Sequence, residues 1–458
     1  VKIRLSLRQD FEERGLVMIH DAPSASVAPP LPGFGEALRF WSRLGWISFG
    51  GPAGQIAIMH KEIVERRRWL SEDHFLHALN FCMLLPGPEA QQLATYLGWR
   101  LHGARGGIAA GVLFVLPSVF ILLGLSWLYV AGGDIGWIAG LFYGLIPAVI
   151  AIVGSAVKRI GSKALKTESL WLLAVLAFVA IFVFKISFVL IILSAALIGY
   201  LGGKWFPKQF PGGKGHGKSG AAEAASCVVL PPSVRASLGR TALITAVCLT
   251  LWWLPVIGAG MLLGWNGIHF QEGLFFSKAA LVTFGGAYAV LPYVSQMAVG
   301  HYGWLSQRQM MAGLGLAETT PGPLIMVLQF VGFVAAWQHP GDLPPLAAAT
   351  LGALITTWVT FLPCFLFVFL GAPHVQGLHE RPVLASALTT ITAAVVGVIL
   401  NLAIWLTWHA LRPDEGTFDY FVAVVAVAAW FAMERFKMGV IPVLAACALL
   451  GVIWKFVV

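Results

Sequence analysis

Charge is what this chain has least of. Only 11% of its 458 residues are Asp, Glu, Lys or Arg, and 58% are hydrophobic. Soluble domains carry about 25% charged and about 45–50% apolar residues, so a water-soluble fold is excluded. Cysteine is scarce too. The five present (Cys82, Cys227, Cys248, Cys364, Cys447) are scattered without metal or redox spacing and read as packing residues. No phosphate loop, nucleophile elbow or redox motif is visible, and the 12 histidines show no paired metal spacing. These absences argue against an enzyme and give no reason to expect a cofactor or metal. Acidic residues are outnumbered 21 to 30, a net charge of +9. In so apolar a chain the excess reads as basic cytoplasmic loops, not as a nucleic-acid surface.

Long apolar runs are what the chain has instead. Gly107–Val130, Trp137–Val157, Ala242–Leu263, Leu346–Leu370 and Val383–Trp408 each suffice to cross a bilayer, which takes roughly 18–20 residues. Leu170–Phe184 with Ile186–Leu201, and Phe418–Phe431 with Met438–Val458, read as two further close pairs. The expected fold is therefore an all-α polytopic membrane protein in the lipid bilayer. Residues 1–33 form a tail: residues 1–20 are charged and amphipathic, unlike an apolar signal core, and "APSASVAPPLPG" follows. Residues 202–240, rich in Gly, Pro and Lys, read as a basic linker on the cytoplasmic side.

A duplication organises the rest. "FWSRLGWISFGGP" begins at Phe40 and "FFSKAALVTFGGA" at Phe275, 235 residues later. At the same spacing Trp69-Leu70-Ser71 matches Trp304-Leu305-Ser306, and Pro86-Gly87-Pro88 matches Pro321-Gly322-Pro323. The division is a first repeat at 34–201, an extra span at 241–264 and a second repeat at 265–458. One unmatched crossing between the halves turns the second upside down. The charges agree, since "HKEIVERRRW" is densely basic and its counterpart "SQMAVGHYGW" nearly neutral. Inverted-topology repeats of this kind are typical of secondary transporters.

Each half is interrupted twice, at Gly-Gly and at Pro-Gly-Pro. Phe75 to Leu85 and Pro88 to Leu101 give helices of only about 17–21 Å, short of a hydrocarbon core of about 30 Å. Each pair is a kinked span or a re-entrant hairpin, and the hairpin keeps Arg66, Arg67 and Arg68 cytoplasmic. Proline suits the first position of a helix, so Pro52, Pro88 and Pro323 read as helix starts. A helix N-terminus offers unpaired N–H groups and partial positive charge, an anion site. The candidate substrate-binding residues are therefore Ser48, Phe49, Gly50, Gly51, Pro52, Pro86, Gly87 and Pro88 in the first half. In the second half they are Thr283, Phe284, Gly285, Gly286, Thr320, Pro321, Gly322 and Pro323. Arg43 and Lys278, at equivalent positions, are charged residues inside membrane elements. Their alternative role is snorkelling to the interface. Gln55 and Gln92 are candidate neutral donors.

The acids are less symmetric. Glu89 follows the first Pro-Gly-Pro, whereas Glu318 precedes the second. An ionised carboxylate beside an anion repels it, and burial favours the neutral form of a carboxyl. Glu89 is thus the first candidate for proton coupling and Glu318 the second.

At these residues the sequence resembles the chromate ion transporter family in its long two-domain form. The resemblance rests on "SFGGP" (Ser48–Pro52) with "LLPGPEAQQLATYLGW" (Leu84–Trp99), repeated as "TFGGA" (Thr283–Ala287) and "TTPGPL" (Thr319–Leu324). It implies a secondary transporter of the inner (plasma) membrane that exports chromate, driven by membrane potential or a proton gradient, and so confers chromate resistance. Sulfate is implied as a competing analogue. The second half departs from the first, with Ala287 in place of Pro52 and Leu324 in place of Glu89. An oxyanion importer or exchanger, an anion channel and a membrane-embedded enzyme are the competing classes. No nucleophile or metal cluster accompanies Glu89 to favour the last. The repeats can close the site within one chain, and a homodimer is compatible with this.

Overall fold

The first helix, α1 (Phe34–Ile47), buries Ala37, Phe40, Trp41 and Leu44 along one face, the spacing of an amphipathic helix. It ends at Ser48-Phe49-Gly50, and α2 (Gly51–His60) starts at once and widens into a π turn at Lys61–Arg66. Ser71 then caps α3 (Glu72–Leu84), accepting from the His74 N–H at 3.5 Å. After Pro86-Gly87-Pro88 comes α4 (Glu89–Gly132), which kinks at His102–Gly103. These coordinates are a computed structural model that describes residues 32–133, 135–211, 238–374, 382–413 and 417–457. Most of the expected tail and linker, including Cys227, lies outside the described residues.

Contacts between helix ends decide how the first two pairs run. Arg67, just past the π turn, reaches back to Glu36 at 3.4 Å and lies over the Phe40 ring. Phe40 also meets Trp69 edge-on. The start of α1 and the end of α2 therefore lie together, so α1 and α2 form a hairpin. In the next pair Phe81 meets Tyr96 at 5.3 Å, an antiparallel contact across the Pro-Gly-Pro turn. His102 at the kink of α4 hydrogen-bonds the Pro32 carbonyl at 2.9 Å. Both pairs thus return to the side from which they entered. Of the two arrangements the sequence allows, the structure has the re-entrant hairpin.

The second half repeats these elements. After α8 (Leu238–Leu263), the unmatched span, come α9 (Ile268–Leu281), α10 (Ala287–Ser295), α11 (Gln307–Thr319) and α12 (Val327–Gln338). A π turn follows α10 at Gln296–His301, 235 residues after the one in the first half. Ser306 caps α11 where Ser71 caps α3, here in a full capping box with Gln309. Phe275 meets Trp304 as Phe40 meets Trp69. One difference is a 3₁₀ turn, Leu324–Met326, between Pro323 and α12.

Inversion is visible along α4. From the kink to Gly132 this helix is 29 residues, about 43 Å long. The base of the first-half hairpins sits at its beginning, through His102. The base of the second-half hairpins sits at its end, where Arg308 shares a cavity with Tyr129, Val130 and Gly133. Ser118, halfway along, touches the Pro321-Gly322 turn. Hairpins from opposite ends therefore meet at mid-depth.

Flanking spans enclose this centre. They are α5 (Gly136–Ala164), α6 (Glu168–Phe182) and α7 (Phe188–Trp205) in the first half. In the second they are α13 (Pro345–Gly371), α14 (Pro382–Leu411), α15 (Tyr420–Arg435) and α16 (Val440–Val457). Seven helices among the described residues are long and apolar enough to cross a membrane. The halves interlock, since α14 packs on α6 and α7, and α16 packs on α5. A Lys158–Glu434 ion pair joins α5 to α15.

Candidate anion site at the hairpin tips

Four chain breaks meet where the hairpins do. The Gly322 N–H donates to the Ser48 carbonyl at 2.7 Å, and the Gly87 N–H donates to the Thr283 carbonyl at 2.7 Å. Ser48 is equivalent to Thr283, and Gly87 to Gly322, so the two bonds are one contact made twice. Each Gly-Gly tip is thereby tied to the Pro-Gly-Pro tip of the other half. Gln55 strengthens one tie, its amide donating to Gly322 O at 2.5 Å and Ser48 O at 3.4 Å. Ser118 donates to Pro321 O. Gln92 donates to Pro86 O at 2.7 Å within its own turn.

The two kinds of tip differ in the room around them. A methyl group added at Gly87 would meet Cys364 Sγ at 2.7 Å and Gln92 Nε2 at 2.8 Å. One added at Gly322 would collide with Ser118 Oγ. At Gly50 and Gly51 it would meet nothing within 4 Å. At Gly285 and Gly286 the first contacts are Thr392 Oγ1 at 3.8 Å and Glu89 Oε1 at 3.7 Å. The Pro-Gly-Pro turns are thus packed joints, while the Gly-Gly tips leave space for a ligand. Gly50, Gly51, Gly285 and Gly286 all have positive φ, +70° to +91°, a conformation open to glycine at little cost.

Donors at these tips come from backbone. The first turns of α2, α4 and α10 present N–H groups that lack acceptors within the helix. Pro52 stands at the second position of α2, whereas Pro88 and Pro323 precede the first helical residue. They act as caps with extended ψ and not as first helical residues, because each still continues its turn. Ser48 Oγ donates to Leu44 O and Thr283 Oγ1 to Ala279 O, both at 2.6 Å. Thr320 Oγ1 likewise donates to Leu316 O at 2.7 Å. These three hydroxyls spend their protons on their own helices in this conformation.

Phe49 and Phe284 are partly buried beside their glycines, and Pro321 and Pro323 are buried. Glu89 is half-buried with its carboxyl beside Gly286 of the other half. Glu318 is buried and accepts from the Tyr288 hydroxyl at 2.5 Å. Arg43 and Lys278 have exposed side chains. A cavity of about 760 Å³, lined by Arg308, Asp419, His409 and Lys455 among others, opens at the far end of α4 and touches none of the break residues.

The family profile described as chromate transporter matches residues 35–200 and 270–452, one stretch in each half. The chain belongs to the chromate transporter family. The chromate transport protein of Cupriavidus metallidurans is 30% identical over 436 residues, covering 95% of each chain. That of Pseudomonas aeruginosa is 31% identical over 442 residues, covering 94% of each. The transporter YwrB of Bacillus subtilis is 30% identical over 141 residues, 31% of this chain and 71% of its own length. No solved structure matches.

Three residues that touch the breaks or Glu318 are not among those the sequence points to: Ser118, Cys364 and Tyr288. The first two were within reach. Pro117-Ser118 and Pro363-Cys364 place a proline in the interior of corresponding long spans, each beside the other half's Pro-Gly-Pro turn. Tyr288 carries no such signal.

Proposed function

We propose that this chain is a secondary active transporter that moves chromate out of the cytoplasm across the inner membrane and so confers chromate resistance. The observation that carries this reading is the reciprocal pairing of Ser48 with Gly322 and of Thr283 with Gly87, which gathers the helix N-termini at mid-depth. Oriented N–H groups and helix dipoles suit a dianion. Irregular backbone at membrane depth is stable only where protein or a water-filled cavity satisfies it. Chromate is the substrate named for relatives that match nearly the full chain, those of Cupriavidus metallidurans and Pseudomonas aeruginosa among them. Sulfate, a tetrahedral dianion of similar size, competes for the same donors. Export alternates as one pair of hairpins moves against the other, with Glu89 as the first proton carrier and Glu318 as the second. The basic end of α5, with Lys158, Arg159 and Lys163, faces the cytoplasm, as does the linker at 202–240.

Direction is tested in a chromate-sensitive bacterial host. Cells expressing the protein are expected to hold less chromium than empty-vector cells at equal external chromate. Higher cell chromium would replace export with import through the same site.

A further inference from the structure

Glu318 ends its side chain in a set of donors that suits a free oxyanion. Its Oε1 accepts from the Tyr288 hydroxyl at 2.5 Å, and Tyr288 opens the first turn of α10. The Arg159 guanidinium, from α5 of the other half, lies in the neighbourhood of both the Tyr288 hydroxyl and the Glu318 carboxylate. Arginine and hydroxyl donors are the ordinary means of holding carboxylates and tetrahedral oxyanions alike. Glu318 and Tyr288 are buried, whereas Arg159 is exposed among the basic residues at the end of α5. The cluster therefore reaches from that basic surface to the Thr319-Thr320-Pro321 break.

This arrangement occurs once, although the fold is duplicated. The first-half counterparts of Glu318 and Tyr288 are Met83 and Ala53. The first pair of hairpins closes without them, so a carboxylate bound by Tyr near Arg is not a requirement of the hairpin. Lys158, the neighbour of Arg159 in sequence, pairs with Glu434.

We propose that Arg159 and Tyr288 form an entry site for the transported oxyanion, and that Glu318 is a tethered anion occupying it until substrate arrives. The incoming dianion takes over the Arg159 and Tyr288 donors, and the Glu318 carboxylate swings away towards the break. No covalent bond changes. This inference rests on the oxyanion-transport reading above and assigns its first binding step.

Equilibrium chromate binding by the purified full chain in nanodiscs tests it, with wild type, Glu318→Gln, Arg159→Gln and the double variant. Glutamine still accepts the Tyr288 hydroxyl but does not compete as an anion. Glu318→Gln is expected to bind chromate about tenfold more tightly, a coupling of ordinary size. Arg159→Gln is expected to weaken binding by a similar factor, and the double variant to lose the gain. Tyr288→Phe, which keeps the ring, should weaken binding less than Arg159→Gln does. Unchanged or weaker binding by folded Glu318→Gln would overturn the proposal, as would a gain that persists without Arg159. Chromate movement by wild-type vesicles is scored separately, so losing the tethered anion would leave the transport reading standing.

Discussion

Gly322→Ala is expected to lower chromate transport more than tenfold while the protein still reaches the membrane. Gly322 has φ +107°, and an added methyl group would collide with Ser118 Oγ. A strained backbone costs about 1–3 kcal/mol, and overpacking adds about 1–3 kcal/mol. Every 1.4 kcal/mol is about tenfold in an equilibrium, so more than a tenfold loss follows. The damage falls on the joint itself, because the Gly322 N–H donates to the Ser48 carbonyl. Gly50→Ala is the informative comparison: its φ is also positive, at +88°, but its added methyl meets nothing within 4 Å. Removing the Ser118 side chain in a Gly322→Ala/Ser118→Gly double variant should restore part of the activity. Transport per inserted molecule, read alongside gel-filtration profiles, separates lost function from lost folding. Wild-type transport by Gly322→Ala would show that the joint has no role.

Glu89→Gln is expected to flatten the pH dependence of transport. The Glu89 carboxyl stands beside Gly286, at the open tip of the opposite half. As pH rises and the group ionises, a negative charge appears next to the anion's donors, and anion binding weakens. As pH falls, the neutral carboxyl no longer repels. Wild type should therefore lose chromate affinity with rising pH. Glutamine, neutral throughout, should retain affinity at high pH and lose the response to a proton gradient. Half-saturation measured across pH in reconstituted vesicles checks this. A variant that keeps the wild-type pH profile would remove Glu89 from coupling and leave Glu318 to carry it.

Much of this architecture is legible in the sequence because the duplication is ungapped across the hairpins. The matched Gly-Gly and Pro-Gly-Pro breaks announce interrupted helices, and the short flanks limit their length. The Trp-Leu-Ser match has a physical cause, since Ser71 and Ser306 cap equivalent helices. What the sequence hides is pairing across the two halves. Ser48 touches Gly322 from 274 residues away, and nothing local to either residue specifies that bond. The hydroxyls of Ser48 and Thr283 illustrate the same limit. Their residue type suits an anion, but their protons are committed to carbonyls one turn back. Arg159 lies at the basic end of a long span, where a charge ordinarily just meets water. Only the inverted packing brings it to Tyr288. The π turns are likewise silent in sequence, yet occur at equivalent positions.

Chromate uptake into inside-out membrane vesicles tests transport by this chain most directly. Labelled chromate is supplied outside, with and without an imposed proton gradient, and with excess sulfate as competitor. Gradient-dependent accumulation, reduced by sulfate and absent from vesicles carrying Pro88→Ala with Pro323→Ala, is the expected result. Uptake equal to that of vesicles lacking the protein would contradict chromate export, and wild-type uptake by the double variant would contradict a site built from the hairpin tips.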